Sequence, residues 1–117
     1  MYTYINLDYI DLMTDGDGDM KATMLEMLLD EMPSELSLMK EHLDAQEWED
    51  LFKAAHKMKS TLSYLGNPEM TEANRQIEHA AKHEENLESV PPNLTLLEST
   101  YLKATEEIQA AIRAANN

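Results

Sequence analysis

Apolar residues recur at spacings of three and four through most of the chain, in stretches divided by glycine and proline. One stretch holds Met20, Met24, Met27, Leu28, Met32, Leu36, Met39 and Leu43. The next holds Trp48, Leu51, Ala55, Met58, Leu62 and Leu65, and a third holds Met70, Ala73, Ile77, Ala80 or Ala81, and Leu87. The last holds Leu94, Leu97, Tyr101, Ala104, Ile108 and Ile112. This period gives a helix one apolar face and one polar face, and such helices bury their apolar faces against one another. The breaks between them are short, so successive helices should run antiparallel. The pattern predicts an all-α chain: an antiparallel up-and-down four-helix bundle with a short additional helix at its N-terminus.

Local signals place the ends. Gly16 and Gly18 punctuate the chain before the first long helix, which should begin near Asp19. Pro33 lies inside that helix; the stripe keeps its phase across it, so one kinked helix is expected rather than two. Asp44, with Glu47 three residues on, offers a cap for the second long helix, and Gly66 offers its stop. Asn67-Pro68 reads as a capping side chain followed by a proline at the first helical position. Val90-Pro91-Pro92 should break the chain, with Asn93 capping the last helix. In the N-terminal segment, Tyr2–Ile5 is briefly strand-like but too short and isolated for a sheet, and Asp8–Met13 suits a short helix laid across the bundle. We expect a single domain over 1–117, with 1–18 peripheral to it.

Composition narrows the function. The chain carries 23 acidic and 9 basic residues, a formal net charge of -14, which disfavours broad binding to nucleic acid or anionic lipid. Such a charge favours a self-repelling monomer. There is no cysteine, which removes disulfides, thiolate metal sites and thiol redox chemistry. No stretch approaches the roughly 20 apolar residues of a membrane span, and no signal peptide is expected. A cytoplasmic location is the reading that follows. Nine methionines suit an adaptable helical core.

Against that acidic background, Lys53, Lys57 and Lys59 gather around His56. His56 lies one position round from the buried stripe at Ala55. Lys59 and Ser60, three and four residues on, share its face. Helical side chains lean toward the N-terminus, so a small Ser60 leaves the imidazole open and Lys59 can set an ammonium beside a group bonded to the ring. Ser63 continues this small, polar surface. A neutral imidazole keeps one nitrogen lone pair for nucleophilic attack, and nearby lysines offset phosphate charge without a bidentate clamp. The cluster points to a histidine that carries a phosphoryl group or meets one.

The run from His56 to Gly66, with Lys59 three residues after the histidine, Ser60-Thr61 next, and Leu65-Gly66 nine and ten residues after it, resembles the histidine-containing phosphotransfer (HPt) family. The family usually has glycine directly after the lysine; this chain has Ser60. The resemblance implies an antiparallel helical bundle with an exposed histidine midway along one helix. It implies reversible exchange of a phosphoryl group between His56 and the aspartate of receiver domains, with Lys59 stabilising phosphate and Ser60 preserving access. Partners implied are response-regulator receivers and a hybrid histidine kinase. The receiver supplies the acidic pocket and Mg²⁺, and no cofactor is intrinsic to this chain. Phe52, one turn before His56, joins Lys53, Lys57 and Ser63 as a candidate receiver-docking surface, although Phe52 equally suits the core. The competing reading is a nonenzymatic adaptor or inhibitor that binds a receiver or kinase without phosphotransfer.

Other patterns carry less. Asp15-Gly16-Asp17-Gly18-Asp19 opens like a calcium loop and Glu26 falls at its twelfth position, but Met20 stands where the sharp turn needs glycine. His79 and His83 have a zinc-compatible spacing without a third ligand; solvated helix surface is the simpler reading. There is no Gly-rich phosphate loop, nucleophile elbow or dinucleotide fingerprint, so self-phosphorylation from ATP is not expected. The dimeric phosphoacceptor module of sensor kinases generally has an acidic residue after its histidine; Lys57 stands here.

Overall fold

A computed structural model describes residues 2–117. Five α-helices follow in order: α1 Asp8–Thr14, α2 Gly18–Asp44, α3 Trp48–Leu65, α4 Pro68–His83 and α5 Val90–Ala115, with a single 3₁₀ turn at Leu87–Ser89 before α5. Helices α2 to α5 form the expected up-and-down bundle: each packs on the next, and α5 closes the ring against α2. The short α1 lies against α2 and α3. The molecule measures 46 × 21 × 20 Å. Its long axis is set by α2, whose 27 residues span about 40 Å at the α-helical rise.

The core is one cluster fed by all five helices. Leu51, Ala55, Met58, Leu62 and Leu65 of α3 are buried, as are Met70, Ala73, Ile77, Ala80 and Ala81 of α4 and Leu94, Leu97, Tyr101, Ala104 and Ile108 of α5. In α2 the stripe is rotated from the expected one. Ala22, Leu25, Leu28, Met32, Leu36 and Met39 are buried, while Met20 and Met27 remain exposed. At about 100° per residue both methionines fall well off the line through Leu28, Leu36 and Met39, a divergence that a three-four count does not register. Trp48 and Ile112 stand half-buried near helix ends, and Leu87, expected on the third helix's stripe, lies beyond the end of α4 in the 3₁₀ turn.

Pro33 does not divide α2. Asn67 caps α4 through its side-chain oxygen, 3.0 Å from the amide of Met70, with Pro68 directly after it. Gly66 ends α3 at φ 70°, its amide donating to Leu62 O. Two expected caps are displaced. Asp44 is the last residue of α2, not the cap of α3. The turn Ala45–Glu47 intervenes, fixed by the Glu47 amide on His42 O and by Gln46 at φ 55°, and α3 starts at Trp48. Asn93 likewise lies inside α5. The helix begins at Val90 because prolines are tolerated in a first turn whose amides have no intrahelical acceptors. Asn93 instead donates to Ser89 O and Gln76 Oε1.

The N-terminal residues are fastened across the bundle without a strand. The amides of Thr3, Tyr4 and Ile5 donate to the carboxylate of Glu107 on α5. The Asn6 amide donates to Leu65 O, and Asn67 Nδ2 donates to Tyr4 O. Ile5 and Ile10 join the core. This clamp holds the α3–α4 corner, and that corner sets how the two helices bearing the site lie against each other.

Candidate functional site

His56 projects from the middle of α3 with its side chain 67% exposed. Its Nδ1 lies 2.8 Å from Oε2 of Glu78 on α4, a carboxylate that is itself only 18% exposed. An ionised Glu78 only accepts, so this contact favours, for a neutral ring, the tautomer that carries its proton on Nδ1 and keeps the Nε2 lone pair. The exposed imidazole is thus oriented by a fixed partner on the neighbouring helix.

The cations divide into different settings. Lys59 lines a cavity of about 130 Å³ between α3 and α4, together with Leu62, Thr71, Asn74, Arg75 and Glu78. Among the described residues Lys59 has no ion-pair partner. Lys53 is turned back to Glu49, 3.8 Å away on its own helix, with both side chains well exposed. The charge of Lys57 acts on Glu35 of α2, so it lies on the α2 flank rather than the α4 flank. The structure therefore brings Lys59 to the α3–α4 groove beside Glu78, and leaves Lys53 and Lys57 outside it.

Ser60 is exposed. Ser63 is exposed as well and bends its hydroxyl back to Lys59 O at 3.2 Å. Phe52 is half-buried, packed on the core on one side and 6.1 Å from the His56 ring, centroid to centroid, on the other. Lys82 Nζ lies 5.8 Å from the Phe52 centroid, within cation–π range. Phe52 thus lies partly against the core and partly beside His56.

Several site residues escaped the sequence reading because they lie on α4. Asn74, Glu78 and Lys82 recur at four-residue intervals along that helix and face the α3 residues Ala55, His56 and Phe52 respectively. Their spacing was visible, but their meeting with His56 depends on the register between two helices. Arg75 beside them is tied to Glu72 by two hydrogen bonds, which hold the Glu72 carboxyl at about 2. On the α2 side, Glu35 is buried against Thr61, and burial pushes its carboxyl above the usual range.

His79 and His83 lie against each other, ring centroids 4.5 Å apart with the planes tilted by 52°. Among the described residues, the group whose potential metal-binding atoms come within 4.8 Å of one another is His42, Glu47 and Asp50, at the α2–α3 turn. Its members are partly or fully exposed, and it lies apart from the His56 groove. No helix of the described residues is long and apolar enough to cross a membrane.

Comparison with known proteins bears on the family of the whole bundle. The family model described as the Hpt domain matches residues 23–116, which takes in all of α3, α4 and α5 and α2 from residue 23 onward. No curated protein and no solved structure gave a significant match. With most of its length matched and the four-helix bundle in place, the chain belongs to the Hpt domain family.

Proposed function

We propose that this Hpt domain is a histidine phosphocarrier in a two-component phosphorelay, with His56 as the residue that takes and gives the phosphoryl group. The observation that supports the reading is the 2.8 Å contact between Nδ1 of an exposed His56 and Glu78, which favours the neutral tautomer with a free Nε2. In the forward step Nε2 attacks the phosphorus of a receiver phosphoaspartate. The Nε2–P bond forms, the aspartyl O–P bond breaks, and the aspartate leaves as a carboxylate. The ring gains positive charge, which the Glu78 carboxylate offsets through the Nδ1 proton. Lys59 balances the phosphoryl oxygens as a mobile point charge, and Ser60 leaves room for the receiver's approach. The reverse step hands the group to a second receiver.

The catalytic acidic pocket and its Mg²⁺ belong to the receiver, so the protein acts as a carrier and not as an autonomous kinase. Receivers and a hybrid histidine kinase are the proposed partners, met in the cytoplasm by a monomer, with Phe52, Lys53, Lys57 and Ser63 as the proposed rim of contact. The test is transfer from a radiolabelled phosphoreceiver, with Mg²⁺, to the wild-type protein and to His56→Ala. Acid-labile label on the wild type alone supports the carrier. Equal labelling of both proteins rules out His56 as the acceptor. Stable receiver binding without transfer, by both proteins, favours the adaptor.

A further inference from the structure

Asn74 sits in the middle of α4 at 1% exposure. Its Nδ2 donates to Ala55 O on α3, 2.9 Å away. Its Oδ1 has no partner, and among the described residues it is the only buried side-chain nitrogen or oxygen in that condition. A buried amide with an unbonded oxygen is a costly packing residue, since leucine, with a branched side chain of the same number of heavy atoms, would leave no polar atom unpaired there. Packing therefore does not account for an amide at this position.

The acceptor it bonds does. Ala55 immediately precedes His56, and Asn74 precedes Glu78 by one helical turn. The Asn74–Ala55 bond and the Glu78–His56 bond are thus neighbouring rungs between the same two helices. The first rung is buried and joins a side chain to backbone, so it fixes how α3 is rotated and raised against α4. The second is exposed and joins two side chains, so it depends on that register. Asn74 also lines the cavity shared by Lys59 and Glu78. A backbone carbonyl anchored directly beside the histidine controls the placement of its ring more tightly than apolar contacts, which allow sliding.

We propose that Asn74 is a positioning residue for the phosphoacceptor: by pinning the Ala55 carbonyl it holds His56 Nδ1 against Glu78 and so keeps Nε2 as the free nitrogen. This rests on the phosphocarrier reading for its consequence, but the effect on the ring is measurable without any phosphate.

The experiment is ¹⁵N NMR of the His56 ring in the wild type, Asn74→Leu and Glu78→Gln, together with thermal melts and receiver-to-histidine transfer rates. Ile77→Val serves as a control for general loosening of α4. Asn74→Leu is expected to lower the ratio of Nδ1-protonated to Nε2-protonated ring at least about twofold and to slow transfer about tenfold, the scale on which small misplacements act. Ile77→Val should leave the ratio unchanged although it lowers the melting temperature. A folded Asn74→Leu protein with the wild-type ratio overturns the proposal, as does an Ile77→Val protein with the same altered ratio. If Asn74→Leu fails to fold, the wild type decides. A scalar coupling across the hydrogen bond from Asn74 Nδ2 to the Ala55 carbonyl carbon, with slow exchange of the amide protons, supports the rung, and a missing coupling removes it. An altered ratio in Asn74→Leu alongside a wild type that never accepts phosphate would sink the carrier reading and leave the positioning role standing.

Discussion

Glu35 of α2 accepts the hydroxyl of Thr61 of α3 on both carboxylate oxygens, at 3.1 and 3.0 Å, in a buried contact next to Ser60 in sequence. Burial raises the Glu35 carboxyl above its ordinary value of 4.5, with Glu31 adding to the rise, while the Thr61 bond and the charge of Lys57 pull it back. The folded protein thus binds this proton more tightly than the unfolded chain does. The resulting stabilisation is fully present below the unfolded pKa and is lost as pH rises through the folded one. Glu35→Gln keeps an acceptor for Thr61 and removes the buried charge. It should therefore be more stable than the wild type at pH 7, with the advantage shrinking as pH falls toward 4. Denaturant unfolding of both proteins across that range checks this; a Glu35→Gln protein less stable than wild type at pH 7 contradicts it.

The corner after α3 offers a sharper stability test. Gly66 has φ 70°, and a Cβ there would collide with Asn6 O, whose own amide donates to Leu65 O. Gly16 has φ 83° with open space around it. Gly66→Ala should cost about 2–3 kcal/mol, from the left-handed backbone together with the displaced N-terminal segment. Gly16→Ala should cost about 1–2 kcal/mol, from the backbone alone. Equal losses in urea unfolding would mean that the 2–7 segment does not press on Gly66.

Those two glycines show which features the sequence could reveal. Gly66 and Asn67-Pro68 were readable because a helix stop and an adjacent start are decided within a few residues. That His56 and Lys59 lie close together on α3 was readable because one turn of one helix carries both. Asp44 and Asn93 were misassigned because each has a capping side chain, while the cap's place depends on where a turn and a neighbouring helix end. Glu78 and Asn74 were absent from the expected site for a related reason. A polar residue on α4 gains its role only from the rotation of α4 against α3, and no local pattern encodes that rotation. The exposure of Met20 and Met27 has the same origin, since the bundle selects which part of a broad apolar face goes inward.

Glu107 holds the start of the chain, its two oxygens taking amides from Thr3, Tyr4 and Ile5 at 2.8, 2.7 and 3.2 Å. Hydrogen bonds to an ionised acceptor are worth more than neutral ones, and here three donors depend on one side chain. Glu107→Ala should cost about 1.5–3 kcal/mol and release amides 3–5 to rapid hydrogen exchange. The α4 amides around Glu78 should keep their protection. Unchanged exchange at residues 3–5 would show that the segment is held by Ile5 packing alone.

The lysines around His56 provide the functional contrast. Lys53 is engaged with Glu49 in an exposed i,i+4 pair, whereas Lys59 has no such partner and shares the groove with Glu78. If His56 carries phosphate, Lys59→Ala removes the cation placed to balance it and should slow receiver-to-histidine transfer about tenfold, near 1.4 kcal/mol of barrier. Lys53→Ala should leave the rate within about twofold, since removing one rim charge acts mainly on encounter and is screened by salt. Both variants should melt close to the wild type, because exposed substitutions of this kind stay within about 0.5 kcal/mol. Lys59→Arg restores the charge but not the compact ammonium, so its rate should fall between wild type and Lys59→Ala. Single-turnover transfer at low and at 0.5 M salt separates the two lysines: the Lys59 defect should persist at high salt and any Lys53 defect should vanish. Equal, salt-sensitive defects for both would reduce Lys59 to one more charge on a steering surface.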